Sequence, residues 1–328
     1  MKNTIETFSA LGVRLLNFGD DDATRAVVAA ACRANGWFTP ADVCRAVRAI
    51  AGDMLQRAKL ETWLAAYPAV PVAAPCRVLV VMAGNIPLVG FFDLLCVLAS
   101  GHCCLVKPSV KDSVLMEYMI GLLCEIDPAI PVGVYDGKSA VGAVIATGSD
   151  NANRYFRAHY AGIPSLLRGS RQSVAVLSGR ETPEQLAGFA DDIWAYSGLG
   201  CRNVSLIFVP DGYELKLQMS PVNSKYKNNY RQERALLAMQ EQPFVDLGNA
   251  VVVEQRAFPA TLSRIACTHY KVLDEVAVWL AEHDEELQCV VTECLPHSRR
   301  VGFGCAQSPA LTDYPDDRDV LAWLAALN

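Results

Sequence analysis

The stretch RVLVVMAGNIPLVGFFDLLCVLASGHCCLVK, residues 77–107, decides the fold class. It opens on a nearly continuous apolar, β-branched run, residues 77–82, which is the texture of a strand buried on both faces. That run stops at Ala83-Gly84-Asn85-Ile86-Pro87, a turn-forming segment. Residues 87–99 are apolar for too long to be a strand and read as a buried helix, with Asn85 as its candidate cap. Residues 102–107 return to strand texture. Strand, helix and strand in so short a span form one βαβ unit with parallel strands. The same stretch is long and apolar enough to raise a membrane span, but Gly84, Asn85, Pro87, Asp93 and His102 interrupt it, so it reads as buried soluble structure.

Before this unit, residues 22–67 carry helical periodicity. Thr39 is placed as an N-cap with Pro40 at the first helical position, and Val43, Val47, Ile50 and Met54 follow on one face. Pro68, Pro71 and Pro75 then mark a boundary. After the unit, helix 112–126, strands 132–135 and 141–147, and helix 150–160 continue the alternation, which predicts a mostly parallel sheet covered on both faces. Nucleotide binding is the leading expectation for such a sheet. The loops after its strands, 82–87, 107–111 and 147–151, should share the rim where ligands bind. Strand 173–177, helix 183–196, the turn Ser197-Gly198-Leu199-Gly200-Cys201 and strand 204–209 begin a second α/β unit. A polar loop and helix over 214–242 and further strand and helix pattern follow.

Composition bounds the function. The chain has 328 residues, 52% of them apolar, and a net charge of −6, which excludes a disordered chain and argues against a nucleic-acid surface. Its 12 cysteines include no Cys-x-x-Cys pair and are too dilute for a disulfide scaffold, which fits a reducing cytoplasm. The first 23 residues carry charges at Lys2, Glu6, Arg14, Asp20, Asp21 and Asp22 and no apolar run of signal-peptide length, so export is not expected.

Cys201 stands apart from the other cysteines. It sits among glycines between a helix and a buried strand, a setting that lets a substrate approach a nucleophile closely; the alternative is a small buried hydrophobe. Asn85 is either a helix cap or an amide that, with a backbone N–H of Cys201, makes a two-donor oxyanion hole. Lys107-Pro108-Ser109 ends a strand with a cation and a hydroxyl, suited to a ribose or phosphate, or else Lys107 is a snorkelling surface lysine. Thr147-Gly148-Ser149 opens a helix and offers N–H groups to a diphosphate, or only caps it. His102-Cys103-Cys104 lies in a strand, where alternate side chains diverge, so no metal site is expected.

Taken in order, Ala83-Gly84-Asn85-Ile86-Pro87, Lys107-Pro108-Ser109, Thr147-Gly148-Ser149, Arg168-Gly169-Ser170 and Gly198-Leu199-Gly200-Cys201 resemble the aldehyde dehydrogenase superfamily. Tyr226-Lys227-Asn228-Asn229-Tyr230 and the tail from Gly302-Phe303-Gly304-Cys305-Ala306 to Tyr314 resemble its bacterial acyl-CoA reductase branch, the type of the long-chain fatty acyl reductase of bioluminescence. The resemblance implies an α/β fold with a Rossmann-like parallel-sheet cofactor domain, a second α/β catalytic domain and an N-terminal helical segment. It implies Cys201 as the acyl-accepting nucleophile and Asn85 as the oxyanion donor. Lys107 and Ser109 would hold the adenosine ribose, Met82, Ala83 and Gly84 would line the cofactor cleft, and Thr147, Gly148, Ser149 and Gly169 would lie toward the diphosphate and nicotinamide.

Departures from the superfamily pattern carry information. Hydrolytic members place a general-base glutamate where this chain has Leu167, so an acyl-enzyme here is left to a thiol or a hydride. Many NAD-preferring members have an acid where Val110 stands; its absence beside Lys111 tilts the choice to NADPH, with NADH as the alternative. Asn153 replaces a glycine and Leu199 a glutamine, and Arg256 is the nearest position to a glutamate that grips the nicotinamide ribose. The expected domains are a helical segment 1–74 packing on the cofactor domain, a dinucleotide-binding domain 75–190, a catalytic domain 191–300 and a tail 301–328 returning toward the cofactor domain. The expected activity is NADPH-dependent reduction of an acyl-CoA or acylated protein to an aldehyde, with an acyl-activating enzyme or a second copy of the chain as candidate partners and no nucleic acid or membrane span. The alternatives are a hydrolytic aldehyde dehydrogenase and a non-catalytic acyl-binding scaffold.

Overall fold

A computed structural model describes residues 2–327. The chain divides into two units, one reaching to Ser170 and taking up the chain again from Ala310, the other running from Arg171 to Pro309. In the first, helices α1 (Lys2–Leu15), α2 (Asp22–Ala34), α3 (Pro40–Ala49) and α4 (Arg57–Ala65) precede the sheet, with a π-helical turn at Ile50–Met54. Thr39 caps α3 by accepting from Asp42 N–H, ahead of Pro40. The expectation began the helices at residue 22. Helix α1 precedes that point because Phe8, Leu11 and Leu15, on one face, are buried against the core of the sheet's helices.

The βαβ stretch folds into β1 (Arg77–Val81), α5 (Phe91–Ala99) and β2 (Cys103–Lys107). Then come α6 (Ser113–Ile126), β3 (Val132–Val134), β4 (Ala143–Thr147), α7 (Asp150–His159) and β5 (Ser165–Arg168). The strands form one parallel sheet in the order β3-β2-β1-β4-β5. Helix α5 starts later than residue 87, and its N-cap is Gly90; Asn85 lies in the bend before it and does not cap it. Every residue of α5 is buried, including Asp93, whose carboxylate meets Arg168 Nη1 at 2.7 and 2.8 Å. His102 is fully buried: its Nδ1 accepts from Cys76 N–H and its Nε2 lies 3.0 Å from Leu324 O, so the ring ties the sheet to the C-terminal helix, Val320–Ala325.

The second unit contains β6 (Gln172–Val176), α8 (Pro183–Trp194), β7 (Val204–Pro210), α9 (Ser224–Met239), β8 (Val245–Asp246), β9 (Val251–Glu254), β10 (Arg264–Tyr270), α10 (Leu273–Glu282), β11 (Leu287–Thr292) and β12 (Arg300–Val301). Its seven strands run in the order β12-β11-β6-β7-β10-β9-β8, parallel except for the pair β8-β9. The boundary expected after residue 190 therefore falls after Ser170. Strand β6 hydrogen-bonds to β7 and β11, which draws residues 171–190 into the second unit, and residues 301–309 stay there too. No helix among the described residues is long and apolar enough to cross a membrane.

Candidate active site

In the first sheet the chain leaves β1 toward β2 and β3 on one side and returns to β4 on the other, so the order of strands reverses between β1 and β4. Open parallel sheets bind ligands outside the carboxyl ends of their strands at such a point. Met82, Ala83 and Gly84 follow β1 there, and Thr147, Gly148 and Ser149 follow β4. Lys107 ends β2 with its side chain exposed, and Gly169 follows β5. Gly84 is needed for packing: a Cβ on it would lie 2.6 Å from both Cβ and Oγ of Ser109, so the loop after β1 rests directly on the loop after β2. Its carbonyl accepts from Asn35 Nδ2 at 3.4 Å. Ser149 caps α7 through its hydroxyl.

These residues fit a dinucleotide. An exposed lysine, a serine hydroxyl and a helix N-terminus are groups of the kind that a phosphate and a ribose take as partners. Asn153, buried in the first turns of α7, adds an Oδ1 with no hydrogen-bond partner. Val110 is 88% exposed, so no wall closes over that side of the lysine loop. Leu167 packs with Leu79, Val81 and Val144 and brings no carboxylate to the end of β5.

Asn85 is exposed in a loop that is held from below. Leu88 in that loop has a left-handed backbone, φ 56°, which a β-carbon residue rarely adopts unless it is held. The hold is Asp112, the N-cap of α6, whose Oδ2 accepts from Leu88 N–H at 2.8 Å. Burial pushes the Asp112 carboxyl up to about 7, since its Oδ1 has no partner to stabilise the charge.

The second unit presents Cys201. After α8 the chain makes a single 3-10 turn in which Tyr196, Ser197 and Gly198 are successively left-handed, φ 54°, 54° and 69°. Glycine suits the last of these, because a Cβ there would be strained by φ and would touch Ile193 O and Leu262 at 3.5 Å. Asn203 holds the two non-glycine residues in place. Its Nδ2 donates to the carbonyls of Asp192, Ile193 and Ala195 at 3.0–3.2 Å, and its Oδ1 accepts from Gly200 N–H at 2.8 Å. Ser197 Oγ accepts from Asn223 N–H, just ahead of α9. Cys201 follows, exposed, with its carbonyl accepting from the buried Ser173 Oγ at 2.9 Å. The backbone around the sulfur is fixed while the side chain stays open to solvent.

The other cysteines lie in different surroundings. Cys96 and Cys104 are fully buried, and burial drives their thiols upward, as it does Cys267, to about 11. Cys124 and Cys305 are exposed too; Cys124 lies on α6, and Cys305 lies between Gly304 and Ala306, whose N–H groups donate to Asp192. Among the described residues no group of three or more His, Cys, Asp or Glu is placed to hold a metal ion. Arg256 donates to Glu275 O and lies over the Phe208 ring, so it is engaged within the second unit. Sequence reasoning missed Asn203, Asp192 and Asp112; the available signal was a polar residue beside or within apolar runs.

Solved structures share this fold. An oxidoreductase from Marinobacter aquaeolei superposes with a TM-score of 0.65 at 12% identity, over 94% of this chain and 78% of that one. An acetylating aldehyde dehydrogenase from Geobacillus thermoglucosidasius gives 0.63 at 10%, over 94% and 84%. A betaine aldehyde dehydrogenase from Staphylococcus aureus, in complex with NAD+, gives 0.59 at 12%, over 84% and 69%. No curated protein matches the sequence. The model of the acyl-CoA reductase (LuxC) family matches residues 45–229, more than half of the chain and a span that holds both Asn85 and Cys201. On an aldehyde dehydrogenase-like fold, the chain belongs to the acyl-CoA reductase (LuxC) family.

Proposed function

We propose that the protein reduces an acyl thioester, carried by coenzyme A or by a protein, to the aldehyde, through an acyl-enzyme on Cys201 and with NADPH as reductant. The observation that carries this reading is the stapled turn of Cys201, an exposed thiol on a backbone fixed at residues 200 to 203, inside the span matched by the family model. In the first step the Cys201 thiolate attacks the thioester carbon, and the tetrahedral oxyanion takes hydrogen bonds from the Cys201 backbone N–H and the Asn85 amide. Collapse expels the carrier thiolate and leaves the acyl group on sulfur. The nicotinamide, when bound, supplies a hydride to that acyl carbon. Collapse of the thiohemiacetal then returns the electrons of the C–S bond to Cys201 and frees the aldehyde.

Met82, Ala83 and Gly84 would line the cofactor cleft, Lys107 and Ser109 would hold the adenosine ribose, and Thr147, Gly148, Ser149 and Gly169 would meet the diphosphate and nicotinamide end. NADPH is preferred to NADH in this reading because Val110 sets no carboxylate against a 2′-phosphate and the exposed Lys111 follows it. The leucine at 167 leaves water without a base at that position, which favours reduction over hydrolysis. We place the enzyme in the cytoplasm, fed by acyl-CoA or by an acyl-activating partner.

The test begins without reductant. Radiolabelled acyl-CoA is expected to label the wild-type protein and to leave Cys201→Ala unlabelled; label retained by Cys201→Ala overturns the mechanism. Adding NADPH should discharge the label as aldehyde. Release as carboxylic acid would establish a hydrolytic aldehyde dehydrogenase instead, and a protein that takes no label and consumes no NADPH with any acyl thioester would be a scaffold.

A further inference from the structure

Asp192, in the last turn of α8, has no exposed surface. Both oxygens of its carboxylate are taken by backbone N–H groups of one distant segment. Oδ2 accepts from Gly304 at 2.7 Å and Oδ1 from Ala306 at 2.9 Å. The segment is also held to α8 by Phe303, whose ring meets Phe189 edge to face at 5.5 Å. The carbonyl of the same Ala306 accepts from Arg202 Nε at 2.5 Å, and Arg202 is the residue after Cys201. On the other side, the carbonyl of Asp192 itself accepts from Asn203. One residue thus grips the Cys201 turn twice, directly through its main chain and indirectly through its side chain and Ala306.

We infer that Asp192 is a positioning residue for Cys201, which rests on the reading of Cys201 as the nucleophile. A carboxylate is the side chain that can do this. It accepts two N–H bonds at once, whereas an asparagine of the same shape accepts one and turns its own NH2 toward the other N–H. An apolar residue would suit the surroundings, since Phe189, Ile193 and Trp194 are buried beside it, yet the chain keeps an anion there. Burial pushes its carboxyl up to about 6; Asp191 adds to the shift, while Arg202 and the two N–H groups oppose it. Arg202, the cation facing this carboxylate, reaches it through Ala306, so the strength of the hold passes to the residue next to the sulfur.

The test compares wild-type with Asp192→Asn by iodoacetamide alkylation, reading each cysteine peptide by mass spectrometry on the high-pH plateau, where thiol ionisation no longer differs. Cys124, exposed on α6 of the other unit, is the internal reference. The expected result is a Cys201 rate lowered tenfold or more relative to Cys124, with kcat for acyl-CoA reduction lowered in proportion and KM for NADPH unchanged. A folded Asp192→Asn that alkylates and turns over at wild-type rates overturns the inference. Should Asp192→Asn fail to fold, Arg202→Met cuts the link to Ala306 and leaves Asp192 in place; the same loss at Cys201 supports the inference, and an unchanged plateau rate overturns it. Wild-type protein that alkylates at Cys201 but takes no acyl label defeats the catalytic reading alone, because the alkylation arm still judges Asp192.

Discussion

Asp112→Asn isolates what a buried carboxylate under the Asn85 loop costs the protein. In the wild type, Asp112 is 4% exposed, one oxygen accepts from Leu88 N–H, the other has no partner, and the carboxyl is pushed up from 3.8 to about 7. Between those values the folded protein holds a proton that the unfolded chain has released, so stability falls as pH rises through the window and levels off above the folded pKa. A shift of about 3 units at 1.36 kcal/mol each makes the full loss about 4 kcal/mol, of which about 2–3 kcal/mol falls between pH 5 and pH 8. Asparagine has the same outline, keeps a carbonyl for Leu88 N–H and does not titrate. Its own cost, an amide with an unsatisfied N–H, is the same at every pH. Urea unfolding followed by tryptophan fluorescence should therefore show the stability of Asp112→Asn gaining about 2–3 kcal/mol on the wild type from pH 5 to pH 8. Every other titrating group, Asp192 included, is common to both proteins and cancels. Parallel stability curves across that range would refute the argument, since they would mean that the carboxyl is solvated or paired in the folded state.

Other substitutions probe the remaining supports. Asn203→Leu removes the amide that joins Gly200 N–H to three carbonyls and should cost about 3 kcal/mol of stability, checked by urea denaturation, while slowing Cys201 alkylation relative to Cys124. Arg168→Met leaves Asp93 charged and buried and should cost about 3–5 kcal/mol, whereas Arg168→Met with Asp93→Leu should recover most of it; a double variant no more stable than the single one would show that the pair is not the issue. Lys107→Ala should raise KM for NADPH about tenfold, the worth of one charged hydrogen bond, and leave cofactor-free labelling of Cys201 intact.

The parts of the fold that were legible are those whose signal is local. Residues 77–107 declare a βαβ unit because β1 and α5 are buried along nearly their whole length and β2 alternates buried with half-buried residues, and Thr39-Pro40 declares a helix start because the cap and the missing proline N–H act within one turn. Helix α1 also carried a local signal, Phe8, Leu11 and Leu15 at helical spacing, which a search for an export signal passes over. The domain boundary carried none. Strands β5 and β6 are separated by Gly169, Ser170 and Arg171, with no change of composition, and what assigns them to different sheets is pairing with strands distant in sequence.

The same division runs through the site. The turn before Cys201 left a mark in Gly198, whose left-handed backbone favours glycine, while the left-handed Tyr196 and Ser197 beside it left none. Asn203 and Asp192 left no such mark, since their partners are backbone carbonyls and N–H groups that come together only in the folded chain. A physical criterion nonetheless picks them out. Burying a carboxylate or an amide is unfavourable unless every polar atom finds a partner, so a polar residue held inside an apolar run must be joined to something that the run itself does not contain. Asp93 in FFDLLCVLA, Asp192 in FADDIWAY and Asn203 ahead of VSLIFV all meet that description, and each turns out to tie its element to backbone or side chains of another one: Asp93 to Arg168 at the end of β5, Asp192 to the segment at Gly304, and Asn203 to the end of α8.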